Sequence, residues 1–218
     1  MRTRIRTRLL APLALGALIA GAVASPAQAV PIPLTSGHVD VLDVDYAGGA
    51  LILRVLDGTG SPDVERNPSD VTFQVPVAAK VTGLPGTPAW SFLGTGGTAW
   101  ILPQNSVSGL LWAGWNTTEV PAGVFVGDKV TFRLTGVSGP GGFSVYTASG
   151  GTPTVLFDSG DGLPDTLDVA RLAHAHPNWG FDAPGTYTVT FSVTGVLAST
   201  GATVSSGSRQ FVFQVHAS

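Results

Sequence analysis

The sequence predicts an all-β protein built as an antiparallel β-sandwich with Ig-like or Greek-key connections. Apolar and polar residues alternate with a period of two along several segments, which is typical of half-buried strands. In residues 186–194, for example, every second residue from Tyr187 to Val193 is large and apolar. Loops rich in glycine and proline separate these segments. No segment shows a sustained helical period, so at most a short helix is expected, and residues 164–173 are its nearest candidate.

The alternation places the strands in chain order. The clearest predicted strands are residues 71–77, 130–134, 186–194 and 211–215. The turn clusters lie at residues 48–49, 57–60, 94–97, 138–142 and 149–151. Many short strands joined by such turns are typical of a sandwich in which two sheets cover one core.

Residues 1–29 have the pattern of a secretory signal peptide. Four arginines within the first eight residues precede an apolar stretch, and Ala27-Gln28-Ala29 supplies the small-residue cleavage motif. We therefore expect a secreted, extracellular protein, either free or associated with the cell wall, with no transmembrane anchor after cleavage. Residues 30–218 are expected to form a single β-sandwich domain. The alternative is two packed β subdomains, residues 30–119 and 120–218.

The charge balance and the cysteine count exclude several classes of protein. Four of the 11 basic residues lie in residues 1–29 and all 14 acidic residues lie after it, so residues 30–218 carry a net charge of −7 with neutral histidines. A nucleic-acid partner is not expected, because binding to phosphates needs a basic face. The chain has no cysteine, which excludes disulfides, thiolate metal sites and a cysteine nucleophile.

The chain contains four histidines, and they are the sharpest chemical signal in its sequence. His174 and His176 form an H-x-H pair, and two residues at this spacing on a strand point to the same face. Pro177 favours an extended conformation at His176. His38, at the opening of the first predicted strand, is the natural third ligand. Three imidazoles suit Zn²⁺ or another divalent transition metal; the alternative is that the pair faces solvent or binds loop carbonyls.

The first predicted strand contains a change of phase. Val39 and Val41 are apolar at odd positions, whereas Leu42, Val44 and Tyr46 are apolar at even positions. A β-bulge near residues 41–42 explains this change, and bulges often aim side chains at functional sites.

Other constellations give weaker signals. Four aspartates between residues 158 and 168 crowd a glycine-rich turn, but they do not follow the EF-hand spacing, so Ca²⁺ is not expected. The tryptophans fit either a sugar-binding face or the core. They are Trp90, Trp100, Trp112, Trp115 and Trp179. No catalytic motif is present, so we expect a protein that is not an enzyme.

Several segments carry a resemblance to a known family. They are GHVD at 37–40, WILPQ at 100–104, LWAGW at 111–115, GPGGFSVY at 139–146, FDSGDG at 157–162, HAHPNWGF at 174–181 and APGTY at 183–187. In this order the chain resembles the actinobacterial surface-anchored protein domain, also called the choice-of-anchor M domain. The resemblance implies an extracellular binding module that accompanies zinc/manganese-type ABC transporters. It carries over His38, His174, His176, Asn178 and Trp179 as site residues.

The resemblance and the histidine pattern together predict a metal-binding or metal-relay protein. His38, His174 and His176 are the expected ligands, and Asp40 is the expected fourth or supporting ligand because it shares a face with His38. Asn178 and Trp179 are expected to border the site. The expected partners are the metal ion and an ABC-transporter substrate-binding protein or the cell wall. The alternatives are a carbohydrate- or wall-binding module that uses exposed tryptophans and a purely structural surface domain.

Overall fold

Seventeen β-strands and four short 3₁₀ helices account for the regular structure of residues 30–218, the part of the chain that this computed structural model describes. The strands are β1 (Ile32–Leu34), β2 (Gly37–Ala47), β3 (Ala50–Gly58), β4 (Val64–Arg66), β5 (Val71–Val75), β6 (Lys80–Thr82), β7 (Thr98–Leu102), β8 (Leu111–Glu119), β9 (Lys129–Ser138), β10 (Phe143–Ser149), β11 (Thr152–Asp158), β12 (Asp165–Ala170), β13 (His174–Ala175), β14 (Asn178–Phe181), β15 (Gly185–Val196), β16 (Thr203–Ser205) and β17 (Arg209–Val215). The 3₁₀ helices are Pro68–Asp70, Val77–Ala79, Pro88–Leu93 and Val126–Asp128. The predicted signal peptide, residues 1–29, lies outside the described residues.

The strands form three sheets, and the predicted all-β sandwich is confirmed. The first sheet has the order β1-β5-β17-β15-β9-β12, with β16 also paired to β15; the second has the order β11-β10-β14-β7-β6; the third has the order β13-β8-β2-β3-β4. Most neighbouring strands are antiparallel, as predicted. Three pairs are parallel: β1 with β5, β5 with β17, and β2 with β8.

The pairings connect the two halves of the chain that the sequence alternative separates. Strand β5 pairs with β17, β7 pairs with β14, and β8 pairs with β13. One strand of each pair precedes residue 120 and the other follows it. The sheets thereby bring side chains from distant parts of the sequence to common edges, which is how the candidate site is assembled.

Residues 164–173, the nearest candidate for a short helix, contain strand β12 instead, antiparallel to β9. Its side chains alternate between partly or fully covered positions, such as Leu167 and Val169, and exposed positions, such as Asp168. This alternation matches the period of a strand. The backbone of β9 also gains hydrogen bonds along an edge that would otherwise be unpaired.

An aromatic core lies between the sheets. Phe213 of β17 is fully buried, and its ring contacts Phe73, Phe143, Trp179 and Phe181 at centroid distances from 4.8 to 6.2 Å. The four contacting residues come from three other strands, β5, β10 and β14, so the ring joins elements that are far apart in sequence. Within residues 30–218, no helix is long and apolar enough to cross a membrane.

Replacing Phe213 by alanine tests this core. The substitution removes a fully buried ring, and we expect the free energy of unfolding to fall by about 3–5 kcal/mol, measured by chemical denaturation. Val196→Ala is the control, because Val196 is 41% exposed and its loss should change the free energy by no more than about 0.5 kcal/mol. Equal effects of the two substitutions would contradict the assignment of Phe213 to the core.

Candidate metal centre

Three adjacent strands of the third sheet bring the predicted ligands together. Strand β2 carries His38 and Asp40, and the edge strand β13 carries His174, with His176 directly after it. Strand β8 lies between them, because it pairs with β13 on one side and with β2 on the other. The extended conformation predicted for the H-x-H pair is therefore present at β13.

The donor atoms of these four residues converge on one point. His174 Nε2 lies 3.2 Å from His38 Nε2, 3.2 Å from His176 Nε2 and 3.1 Å from Asp40 Oδ1. His38 Nε2 lies 3.5 Å from Asp40 Oδ2, and His176 Nε2 lies 4.0 Å from Asp40 Oδ1. His38, Asp40, His174 and His176 thus form a group that could hold a metal ion.

Hydrogen bonds alone do not satisfy this arrangement. A neutral imidazole nitrogen carries either one proton or one lone pair, whereas His174 Nε2 has three polar neighbours within 3.2 Å. Asp40 Oδ2 is buried and has no hydrogen-bond donor among the described residues. A cation shared by the four residues would satisfy both the converging lone pairs and the carboxylate.

Asp40 is the most enclosed member of the group. Its side chain is fully buried. Burial raises the pKa of Asp40, and the neighbouring His174 and His38 lower it. The predicted bulge is confirmed next to it, since the register of β2 against β3 shifts between Asp40 and Asp43 and the register against β8 shifts between Asp40 and Leu42. The bulge lets Asp40 face the histidines while Leu42 faces the core.

His176 is held by stacking and by burial. Its ring lies on Trp112 of β8, with centroids 3.8 Å apart and planes inclined by 16°. Burial, followed by the nearby His38 and His174, lowers the pKa of His176 to about 4. This imidazole is therefore neutral at physiological pH, the state in which it binds metals. Since an unfolded histidine takes up a proton below about pH 6.5, the stability that this burial contributes is lost as the pH falls from 6.5 towards 4.

Two glycines leave the space that the histidine rings occupy. A Cβ atom at Gly58 would lie 2.5 Å from His38 Nδ1, and one at Gly114 would lie 2.5 Å from His176 Nδ1 and 2.7 Å from the Ala175 carbonyl oxygen. Neither position tolerates a side chain without displacing a ring. The glycines thus let the backbones of β3 and β8 approach the rings and fix where the rings lie.

Thr117 anchors the segment that precedes His174. This fully buried residue accepts a hydrogen bond from the Ala173 amide on its hydroxyl and donates to the carbonyl oxygens of Ala170 and Ala173. Its backbone amide also donates to Ala173, and its carbonyl accepts from Leu172. The turn between β12 and β13 is therefore tied to β8, which places His174 opposite β2.

Asn178 supports the site indirectly. Its side chain accepts a hydrogen bond from the Gln104 amide and donates to the Gln104 side chain. The Gln104 carbonyl in turn accepts a hydrogen bond from Trp112 Nε1. Asn178 therefore orders the loop that holds the tryptophan stacked on His176.

Trp179 lies in a different place from the one expected. It is fully buried in the aromatic core, where it contacts Phe143, Phe191 and Phe213. It follows Asn178 on a strand, so the two side chains point to opposite faces. Among the described residues, Trp112 is the tryptophan whose ring contacts the site histidines.

The remaining tryptophans bear on the carbohydrate alternative. Trp100 and Trp115 are buried, and only Trp90 and Trp112 of the five are partly exposed. Trp112 is occupied by His176, so this alternative stays a prediction that rests on Trp90. That ring lines a cleft of about 430 Å³ in which no charged side chain takes part.

The other acidic and histidine residues lie outside the group. Asp168 of the predicted glycine-rich turn binds Lys129 and Thr131, and Asp165 accepts a hydrogen bond from the Asp158 amide. A second acidic group, Asp43, Glu65 and Glu119, was not predicted. Burial raises the pKa of Asp43 to about 6. His216 is exposed after β17 and binds Gln74.

Sequence reasoning missed the residues that hold the ligands in place: Trp112, Gln104, Thr117, Gly58 and Gly114. Their roles depend on the pairing of β8 with β2 and β13, and on the pairing of β3 with β2.

The chain matches no protein-family model, no curated protein and no solved structure. The resemblance to the choice-of-anchor M domain therefore stays a prediction. The geometry of the four residues is the evidence for the candidate metal centre.

Gly114→Ala tests the arrangement around His176. The added methyl group would clash with the ring and with the Ala175 carbonyl, so we expect His176 to leave its enclosed position. Its pKa should then rise from about 4 towards the ordinary value of about 6.5, as measured by NMR titration of the imidazole resonances. Gly136→Ala is the control, because its methyl group would meet Thr190 at an ordinary distance of 3.6 Å. An unchanged His176 pKa in Gly114→Ala would contradict the geometry.

Proposed function

We propose that this chain is a secreted, non-enzymatic binding protein for a divalent transition metal, with Zn²⁺ as the best fit. The observation that carries the proposal is the convergence of three imidazole nitrogens and one carboxylate on a common point. Three nitrogen donors favour transition metals over Ca²⁺ and Mg²⁺, which prefer oxygen donors. A neutral His176 and an anionic Asp40 would supply the charge state that such an ion needs.

The distances support a tetrahedral ion. With Zn–N bonds of about 2.0–2.1 Å, the edges of a regular tetrahedron are about 3.3–3.4 Å long. The three distances from His174 Nε2, to His38 Nε2, His176 Nε2 and Asp40 Oδ1, are 3.1 to 3.2 Å. His176 Nε2 lies 4.0 Å from the same Asp40 oxygen, and His38 Nε2 lies 3.5 Å from the other Asp40 oxygen, Oδ2. The three short distances at His174 Nε2 are therefore close to the edge length of such a tetrahedron.

The number of donors supports a binding role over catalysis. Four protein ligands fill a tetrahedral Zn²⁺, whereas catalytic zinc sites keep one position for water. Exposure, in contrast, argues against a purely structural ion, since the His174 side chain is 45% exposed. A full set of ligands that is open to solvent on one side fits an ion that the protein carries and releases.

The proposed partner follows from the family resemblance. Members of the choice-of-anchor M family accompany zinc/manganese-type ABC transporters, so we propose that the ion is passed to a transporter's substrate-binding protein. Secretion and an association with the actinobacterial cell surface belong to the same proposal. Residues 30–218 would act outside the membrane, where such a receptor acquires its ion.

Thermal unfolding with added metal tests the proposal. After treatment with a chelator, the protein should be stabilised by Zn²⁺ by about 2.7 kcal/mol at a hundredfold excess over Kd. For a domain of this size, we expect the Tm to rise by roughly 5–10 °C. The shift should weaken as the pH falls, because protons compete with the ion for the imidazole nitrogens.

The double variant His174→Ala/His176→Ala should abolish this shift. His216→Ala is the matched control, since it also removes an imidazole but lies outside the group and binds Gln74. It should retain the full shift. Absence of a shift with Zn²⁺, Mn²⁺ and Cu²⁺ in the unsubstituted protein would contradict the proposal and leave the cleft at Trp90 as the place to search for a ligand.

A further inference from the structure

The four candidate ligands differ strongly in exposure. The side chain of Asp40 is fully buried, that of His176 is 7% exposed and that of His38 is 24% exposed, whereas that of His174 is 45% exposed. The group therefore has an enclosed side and an open side, and His174 forms the open side. An incoming donor atom reaches the ion from solvent next to His174.

The backbone repeats this asymmetry. His38 and Asp40 lie on β2, which is paired on both sides, with β8 and β3. His174 lies on β13, a strand of two residues at the edge of the sheet, which pairs only with β8. A short edge strand is the part of a sheet that yields with the least cost.

The enclosed ligands are also fixed by their surroundings. Gly58 approaches the His38 ring from one side, and His176 lies between Gly114 and Trp112. Within residues 30–218, the ring of His174 contacts only the rings of His38 and His176, and no aromatic ring stacks on it as Trp112 stacks on His176. Rotation of the His174 side chain would leave three ligands in place, without movement of β2 or β8.

We infer that His174 is the exchanging ligand, through which the bound metal passes to an acceptor; this inference rests on the proposed metal-binding function. A donor atom of the acceptor forms a bond to the ion as the bond from His174 Nε2 breaks. The ion keeps its charge and its number of ligands, no electron is transferred, and the released imidazole returns to solvent. Asp40, His38 and His176 hold the ion until further acceptor ligands replace them.

Kinetics of metal transfer to a coloured chelator test this inference. The protein is loaded with one equivalent of Zn²⁺ and mixed with an excess of a pyridylazo-resorcinol dye, and the formation of the dye complex is followed. In the unsubstituted protein, the observed rate should rise in proportion to the dye concentration, because the dye enters next to His174. A rate that is independent of the dye concentration would overturn the inference, since the ion would then leave before the dye binds.

Two variants that each lose one imidazole form a matched pair. His174→Ala should still bind Zn²⁺, with a lower affinity than the unsubstituted protein. Its second-order rate constant with the dye should rise about tenfold or more, because the entry position is already open and the barrier to entry is lower. His176→Ala should lose more affinity, since it removes an enclosed ligand. The dye must still displace His174 in that variant, so its second-order rate constant should rise less than in His174→Ala.

Three results distinguish failure of the exchange role of His174 from failure of the proposed metal binding. Faster transfer from His176→Ala than from His174→Ala would overturn the inference alone. Loss of all Zn²⁺ binding in His174→Ala, with an unchanged circular dichroism spectrum, would overturn it too, because His174 would then be an anchoring ligand. If the unsubstituted protein fails to bind Zn²⁺ in an equilibrium titration, the metal-binding proposal itself fails.

Discussion

A buried carboxylate beneath three converging imidazole nitrogens is the constraint on which this site depends. Asp40 is fully enclosed on a central strand, and one of its oxygens has no hydrogen-bond donor within residues 30–218. Burying an unpaired carboxylate costs several kcal/mol or forces it to take up a proton. When the nearby histidines are neutral, they offer lone pairs and carry no positive charge that could pair with the carboxylate. A divalent cation would pair with the carboxylate and accept these lone pairs, as the proposed function requires.

The surrounding sheet holds Asp40 and the three histidines in place. The bulge in β2 turns the carboxylate towards β8 and β13, and Thr117 ties the preceding turn to β8. Gly58 and Gly114 make room for two of the rings, and Trp112 covers His176. The side chain of Asp40 is fully buried, whereas that of His174 is 45% exposed although its backbone is anchored to β8. Under the proposed function, this difference in exposure suits an ion that is carried and released rather than permanently enclosed.

The features that sequence predicts here are the ones with a local cause. The H-x-H pair before a proline predicts two histidines on the same face of an extended segment. The change of phase of the apolar residues in β2 predicts a bulge. The structure contains both the extended segment and the bulge. Asp40 was expected near His38 for the same reason, as the residue two positions along a strand. The alternation of apolar residues likewise predicted the all-β sandwich.

The sequence does not predict features that arise from strand pairing, because no local pattern specifies which strands pair. Trp179 was expected at the site because the family resemblance implied it, but the pleat of β14 turns it into the aromatic core. Trp112 takes the position beside His176 because β8 lies between β2 and β13, a pairing that no local pattern specifies. Residues 164–173 carry aspartates typical of a helix start, yet β9 pairs with them as a strand.

X-ray absorption spectroscopy of the Zn²⁺-loaded protein would show whether Asp40 and the three histidines coordinate the ion. We expect a four-coordinate ion with three imidazole nitrogens and one carboxylate oxygen, at distances of about 2.0–2.2 Å. The spectrum should show the outer-shell scattering that imidazole rings produce, and this scattering should decrease in the His174→Ala variant. A six-coordinate ion surrounded by oxygen, without imidazole scattering, would contradict the claim that Asp40 and the three histidines form a metal centre.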